Sequence, residues 1–343
     1  TLNGLVSLLS IILKLHMTNS ILSKKILHWY DKNKRDLPWR KKISQTKREY
    51  YTLISEFMLQ QTQVTTVIPY FNNFIKIIPN INSLSKINDV KLLKLWEGLG
   101  YYSRVKNLKK TALILKKNSK GRLPSNVHEL KLLPGIGDYT ANAIMAIAFN
   151  KPFIPLDGNI ERLIKRLLNL KLVKDLSKER LNSKKEIFGK SIRSSDYAQA
   201  LMELGALICR PKNPLCDQCP ITKYCKSFKL NDFKIKKQIK KKIDKYYLIE
   251  VYKKNNQFLL IKNDKFNFLK NLQIFPMKEI LRPSNLSQAL NFKISNMNMN
   301  VLIELKKIKK IIPNSYWIDS SKLNNYTLPT FTKKIFIHLN KYK

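Results

Sequence analysis

Cysteine is nearly absent from this chain. Its 343 residues contain four, Cys209, Cys216, Cys219 and Cys225, all inside "LICRPKNPLCDQCPITKYCKSF", residues 207–228. Disulfides knit small secreted domains that lack a sufficient core, and a chain of this length does not need them. Four thiols so close together point instead to one metal site. Histidine is also scarce, with four in all and none beside the cysteines, so a zinc finger that recruits histidine is excluded. Acidic residues are few, 23 against 65 Lys plus Arg, and the net charge is +42. That balance suits a polyanion partner. A chain rich in Lys, Asn and Ile is also what an A+T-rich genome encodes, so the charge supports nucleic-acid binding without carrying it.

No long hydrophobic run is present. The opening "TLNGLVSLLSIILKLHM" is too short to span a bilayer, and it lacks a basic leading region and a small-residue cleavage site. Residues 1–20 are read as an N-terminal extension, with Met17 a candidate start that would leave residues 1–16 untranslated. A cluster of metal-ligand cysteines and no export signal fit a reducing cytoplasm and no membrane partner. Hydrophobic content of 44% with 26% charged is ordinary for one or two globular domains.

What is present reads as mostly helical up to residue 228. Apolar residues recur at three and four spacing in "YYTLISEFMLQQTQVTTVIPYFNNFI" and "VKLLKLWEGLGYYSRVKNLKKTALIL". Residues 229–245, with eight Lys and two Asp, read as a basic, solvated linker. Beyond it, "KYYLIEVYKKNNQFLLIKN" predicts two strands joined at Lys-Lys-Asn-Asn. An all-α domain over 21–228 is therefore followed by a smaller α/β or mainly β domain over 246–343, and no internal repeat is visible.

The cysteine spacing, C-x6-C-x2-C-x5-C, has only one tight pair, whereas a zinc ribbon offers two. An iron–sulfur cluster takes four thiolates over a wider span and fits better, with zinc left as the alternative. Upstream, "LPGIGDYTANAI" (133–144) sets Pro134, Gly135 and Gly137 in a turn before an Ala-rich helix, an arrangement whose free N–H groups can hold a phosphate. "FIPLDGNIERL" places Asp157 and Asn159 at a helix start, where a capping role is the plain explanation. Glu56 lies within the apolar "LISEFMLQQTQ", out of place for an acid unless paired, exposed or poised for proton transfer. Two such carboxylates could supply the acid and the charge stabiliser of glycosidic cleavage.

Together "LPGIGDYTA", "LDGN" and the four-cysteine loop resemble the helix-hairpin-helix DNA glycosylases of the endonuclease III superfamily. More narrowly, "LPWR" (37–40), "SEFMLQQTQVTTVIPYF" (55–71), "WEGLGYYSR" (96–104) and "MELGALIC" (202–209) resemble the adenine DNA glycosylases of the MutY family, in order from about residue 28 to 228. The resemblance implies a mainly α fold, a two-lobed glycosylase domain with a [4Fe–4S] loop at 209–225, and a smaller α+β Nudix-like domain. It implies removal of adenine opposite 8-oxoguanine or guanine in double-stranded DNA by a monomeric, cytoplasmic, nucleoid-associated bacterial repair enzyme.

By the same resemblance Glu56 is the general acid and Asp157 the stabiliser of the sugar cation, supported by Tyr139 and Asn159. Trp39, Arg40, Leu59 and Glu203 match adenine-pocket positions, each with a plainer role as core or as solvated surface. Gln61 and Tyr101 match residues that wedge into the duplex. Four residues are inserted between Arg40 and Glu56 relative to the usual spacing, which changes the pocket entrance. Superfamily members that also cut the backbone carry Lys where Tyr139 stands, its amine forming a Schiff base with the sugar, so a base-removing enzyme with weak lyase activity at most is expected. In the C-terminal domain Ser295 and Asn296 stand where a Ser-His turn is expected to read the lesion, and the Glu-rich Nudix hydrolase signature is missing. The alternatives are a thymine-mismatch or endonuclease III-type glycosylase, or a DNA-binding iron–sulfur protein without activity.

Overall fold

The computed structural model describes residues 21–171, 177–233, 242–294, 296–307 and 312–340. The expected N-terminal extension and residues 234–241 of the expected linker lie outside these residues, as does Ser295. Along the chain the helices are α1 (21–33), α2 (Gln45–Leu59), α3 (Val64–Ile77), α4 (Ile81–Lys86), α5 (Asp89–Leu95), α6 (Ser103–Ser119) and α7 (Val127–Leu132). They continue with α8 (Asp138–Ile147), α9 (Gly158–Leu167), α10 (Lys178–Lys184), α11 (Ser194–Glu203), α12 (Lys226–Lys229) and, near the C-terminus, α13 (Thr330–Asn340). Among the described residues, no helix is long and apolar enough to cross a membrane.

Two compact units emerge. The described residues of 1–86 and 106–237 form one, and those of 87–105 and 238–343 form the second. Nothing in the sequence marks residues 87–105 as belonging with the C-terminal sheet.

In the first unit α2 is nearly surrounded. Tyr50, Leu53, Ile54, Phe57 and Met58 are buried, as the all-round apolar pattern of "YYTLISEFML" requires, and the one acid in that run is buried with them. A second lobe buries Ile26 and Tyr30 of α1 against Ile160 and Ile164 of α9 and Ala200 and Leu204 at the end of α11. α7 and α8 form the helix-hairpin-helix. Asn126 caps α7 by accepting from His128 N at 2.8 Å, and the turn between the helices needs Gly135, whose φ is +83°. A Cβ there would meet Phe57 at 2.9 Å, so this glycine also lets the hairpin press onto α2. At Gly137, by contrast, an added Cβ meets nothing, and the first turn of α8 opens to solvent.

The second unit is built on seven strands among the described residues: β1 (Ile243–Lys254), β2 (Gln257–Lys262), β3 (Gln273–Ile274), β4 (Met277–Ile280), β5 (Leu290–Ile294), β6 (Met297–Lys306) and β7 (Ser315–Asp319). The order is β3-β2-β1-β6-β5, with β4 also on β1 and β7 also on β2. β1 runs parallel to β6 from Ile243 to Tyr252 and then turns into a hairpin with β2. The hairpin turn is Asn255-Asn256, with Asn255 at φ +53°, because Lys253 and Lys254 are used in the ladder. The predicted four-residue turn is thus shorter, and β1 starts inside the stretch read as linker, because Ile243 N–H bonds the Asn296 carbonyl at 3.1 Å and extends the parallel ladder. Alternate residues of β1, Tyr247, Ile249 and Val251, are buried together with Ile335 and Phe336 of α13.

Candidate active site

A cavity of about 580 Å³ opens in the first unit, between the α2/α8 lobe and the α9/α11 lobe. Trp39, Arg40, Glu56, Leu59, Tyr139, Asp157, Asn159 and Glu203, which the sequence scatters over 165 positions, all line it. Gln61 and Tyr101 do not, nor do Gly135 and Gly137.

Glu56 enters this cavity from the last turn of α2 and is 4% exposed. One carboxylate oxygen, Oε2, is buried without a hydrogen-bond partner. Burial raises its pKa to about 7, the Asp157 charge adds to the rise, and the Tyr139 hydroxyl and Arg40 oppose it. Tyr139 comes from the first turn of α8. Its hydroxyl lies 3.7 Å from Met202 Sδ, and burial together with the Glu56 and Asp157 charges keeps it protonated.

Asp157 is the N-cap of α9, which is why the chain turns there. One oxygen, Oδ1, accepts from Asn159 N at 3.0 Å and Ile160 N at 2.7 Å, and Oδ2 accepts from Asn159 Nδ2 at 2.8 Å. The capping role therefore coexists with a place in the cavity wall. Burial pushes its pKa up, while these three donors and Arg162 favour the ionised form. Asn159 in turn accepts from Arg162 Nη2 at 2.8 Å.

Glu203, for which solvated surface is the plainer expectation, is 1% exposed. Arg35 holds it through contacts at 2.7 and 2.9 Å, and Arg40 Nη2 donates to it at 2.9 Å. Burial works against its charge, but the Arg35 bonds and the Arg40 charge prevail and keep its pKa below the usual value. Glu203 is therefore fixed as an anion that anchors Arg40 beside Glu56, and cannot itself donate a proton. Trp39 stands edge-to-face on Phe71 at 5.2 Å, one wall of the cavity.

Arg35, Gln199 and Arg162 also line the cavity, the first two without a clear mark in the sequence patterns above. Arg35 lies in "DKNKRD", a charge run that looks solvated. Gln199, one turn before Glu203, is buried and donates to Ser195 O at 3.1 Å. Arg162 does leave a signal, because it follows Asp157 and Asn159 on α9 and precedes Arg166 by four positions, the spacing of one helix face.

That face leads to the cysteines. Arg162 donates to Cys209 O at 2.6 Å and Gly205 O at 2.6 Å, and Arg166 donates to Cys209 Sγ at 3.3 Å and Arg210 O at 2.7 Å. The π-helical turn Leu204–Ile208 carries Gly205, where an added Cβ would sit 2.6 Å from Asn159 Cβ. Cys209, Cys216, Cys219 and Cys225 are free thiols that line a single small apolar cavity with Arg166, Phe228 and Phe233. Burial raises the thiols of Cys216, Cys219 and Cys225, the second to about 11. Among the described residues no three His, Cys, Asp or Glu side chains converge closely enough to hold one ion. Four thiols around one cavity beside a cationic helix face fit a wider, anionic cluster.

Both expected wedge residues are strained. Gln61, two residues after α2, has φ +59° and Tyr101 has φ +47°, and both are exposed. Left-handed backbone in residues other than glycine costs energy and concentrates at functional sites. In the second unit Asn296 is exposed at the tip of the β5–β6 hairpin.

Residues 54–187 match the family described as HhH-GPD superfamily base excision DNA repair protein. The chain is 38% identical to an adenine DNA glycosylase of Buchnera aphidicola subsp. Baizongia pistaciae, over 94% of this chain and 93% of that protein. It is 38% identical to an adenine DNA glycosylase of Homo sapiens over 59% of this chain and 38% of that protein. Among solved structures, a thermostable thymine-DNA glycosylase aligns with a TM-score of 0.55 at 25% identity, covering 62% of this chain and 98% of the other. Endonuclease III trapped on DNA aligns with a TM-score of 0.51 at 20% identity, over 61% and 94%, a likeness of fold.

Proposed function

The chain belongs to the adenine DNA glycosylases of the helix-hairpin-helix base excision repair superfamily, and from that premise we infer that the 580 Å³ cavity takes an adenine extruded from duplex DNA and that Glu56 cleaves it from its sugar. The observation that carries this reading is the unpartnered Glu56 oxygen, buried in the cavity on a carboxyl with a pKa of about 7. Such a group holds its proton near neutral pH and gives it up readily when a base is presented.

In this reading protonated Glu56 donates to a ring nitrogen of adenine, and the electrons of the glycosidic bond leave with the now neutral base. The sugar becomes cationic, and Asp157 stabilises it by charge across the cavity. Water then adds to the anomeric carbon and releases a proton. Asn159 and Arg162 keep Asp157 oriented, and Tyr139 steadies Glu56. Trp39, Leu59, Arg40 and Glu203 form the walls that grip the base. Tyr139, having no amine, offers no route to a Schiff base, which supports base removal without a strong nicking step.

The proposed substrate is adenine opposite 8-oxoguanine or guanine. Adenine is a normal base, so the opposite base must be read, and the exposed Asn296 hairpin of the sheet unit is the proposed reader, with Gln61 and Tyr101 as wedges. Gly135 and Gly137 are proposed to meet a phosphate. Cys209, Cys216, Cys219 and Cys225 would hold a [4Fe–4S] cluster, which when bound supplies a redox-active, loop-ordering centre. The protein is proposed to act as a monomer at the bacterial nucleoid.

Single-turnover release of adenine from duplexes carrying A opposite 8-oxoguanine, G, C or T tests the reading. Release should be fastest opposite 8-oxoguanine, then G. Glu56→Gln and Asp157→Asn should bind the same duplexes while losing ~100-fold or more in excision. Inactivity on all four duplexes overturns the assignment.

A further inference from the structure

The segment Trp96–Arg104 forms a stiff knuckle. Tyr101, 49% exposed at its crest, has the left-handed φ noted above and follows Gly100 at φ +70°. Beneath it Arg104 is buried, its guanidinium 5.4 Å from the centres of both the Trp96 and Tyr101 rings. Arg104 donates to Leu99 O at 3.0 Å and Gly100 O at 3.1 Å, and Trp96 Nε1 donates to Gly100 O at 3.2 Å. A strained aromatic on a buried cation is an expensive construction for a loop, and such strain persists only where surrounding structure enforces it.

Glu97 is the next residue in that enforcement. Its side chain is 11% exposed. Oε1 accepts from the Leu328 backbone N–H at 3.1 Å and from Lys333 Nζ at 2.8 Å, while Oε2 pairs with Lys94 at 2.7 Å. Lys94 also donates to the Tyr326 carbonyl at 3.3 Å. Leu328 and Phe331 on the far side of these bonds are core residues of the sheet unit. A carboxylate with a backbone donor and two cations, bridging positions 231 apart, holds the start of α13 against the turn that follows α5.

We propose that Glu97 is a positioning residue, a clasp that fastens the Tyr101 knuckle to the C-terminal sheet so that the wedge and the surface reading the opposite base act as one body. The proposal rests on the wedge and lesion-reading roles given above. It predicts that a change at Glu97, in a residue that lines no catalytic cavity, alters which opposite base is accepted rather than the chemistry. A mere folding anchor would instead slow excision equally on every duplex.

The full-length protein carrying Glu97→Ala or Glu97→Gln is compared with wild type by single-turnover adenine release opposite 8-oxoguanine and opposite G at one salt concentration. Amide hydrogen exchange is followed in parallel over residues 98–104 and over α2. Glu97→Ala should shrink the ratio of the two rates by about fivefold or more, and should speed exchange at 98–104 while leaving α2 protected. Glu97→Gln, which keeps an acceptor for Leu328 N–H, should fall between Ala and wild type. A ratio in Glu97→Ala equal to wild type, or equal slowing on both duplexes with α2 deprotected, overturns the clasp. Failure of wild type itself to prefer 8-oxoguanine overturns the parent reading instead, and the exchange result then judges the clasp alone.

Discussion

At the scale of single residues, Glu56 and Glu203 show how environment divides the work of two buried glutamates. Glu203 receives two guanidinium partners and stays charged, whereas Glu56 receives a hydroxyl and a more distant cation, keeps one oxygen unpartnered, and stays protonatable. Keeping Glu56 so placed costs stability. Its folded pKa, about 7, lies above the ordinary 4.5, so below pH 4.5 both folded and unfolded chains carry the proton and no penalty exists. The penalty grows between pH 4.5 and 7 by about 1.4 kcal/mol per pH unit, and above pH 7 it is complete at roughly 3 kcal/mol. Glu56→Gln should therefore be more stable than wild type by up to ~3 kcal/mol at pH 8 and no more stable at pH 4. Denaturant melts at the two pH values check this, and an equal difference at both would remove burial of the charge as the cause. Excision by wild type should fall as pH rises through about 7, since only the protonated acid works.

Among the elements, α9 gathers the most proposed site residues for its length. Its N-terminus is capped by Asp157, its first turn presents Asn159, and Arg162 and Arg166 run along one face to the Cys209 loop. Helical spacing brings Asn159, Arg162 and Arg166 to one side, and Asp157 joins them through its capping bonds. Because Arg162 spans Asn159, the Gly205 carbonyl and the Cys209 carbonyl, its loss should let Asp157 drift rather than unfold the domain. Arg162→Ala is expected to lower the single-turnover excision rate by on the order of 100-fold, the cost of an ångström-scale misplacement. Iron content should stay near the roughly four per chain of a [4Fe–4S] cluster. Iron analysis and duplex binding on the same preparation separate the outcomes, and loss of iron in step with activity would make Arg162 a cluster anchor instead.

On the scale of the whole molecule, the chain divides in a way that ignores its own order, with residues 87–105 grouped with the C-terminal sheet. A chain ended after residue 228 therefore loses more than the proposed reader. It also lacks Tyr326, Leu328 and Lys333, the partners of Lys94 and Glu97. We expect truncation to reduce the preference for 8-oxoguanine over G by ~1–3 kcal/mol, the worth of a good base contact. In that background Glu97→Ala should add nothing, because a contact already removed cannot be lost twice. Single-turnover rates on the two duplexes for the four proteins complete the cycle, and an additive effect of Glu97→Ala in the truncated chain would place its role elsewhere.

Local signals in the sequence determined most of the helical architecture. The apolar period marked α2, the Pro-Gly turn marked the hairpin of α7 and α8, and Asp157 marked the start of α9, since each depends on residues within a few positions of one another. The same local words mark Glu56, Asp157 and the four cysteines, because an acid in an apolar helix, an Asp at a helix start and thiols in one short stretch are visible without a fold, whereas Tyr139 comes only from the family resemblance. Tertiary structure alone decided the partners. Whether Glu203 is solvated or locked between Arg35 and Arg40, whether Lys253 and Lys254 belong to a turn or to a ladder, and whether Glu97 reaches residue 328 are settled by groups far away in sequence. Burial and pairing are properties of the space around a side chain, and that space exists only once the distant segments have met.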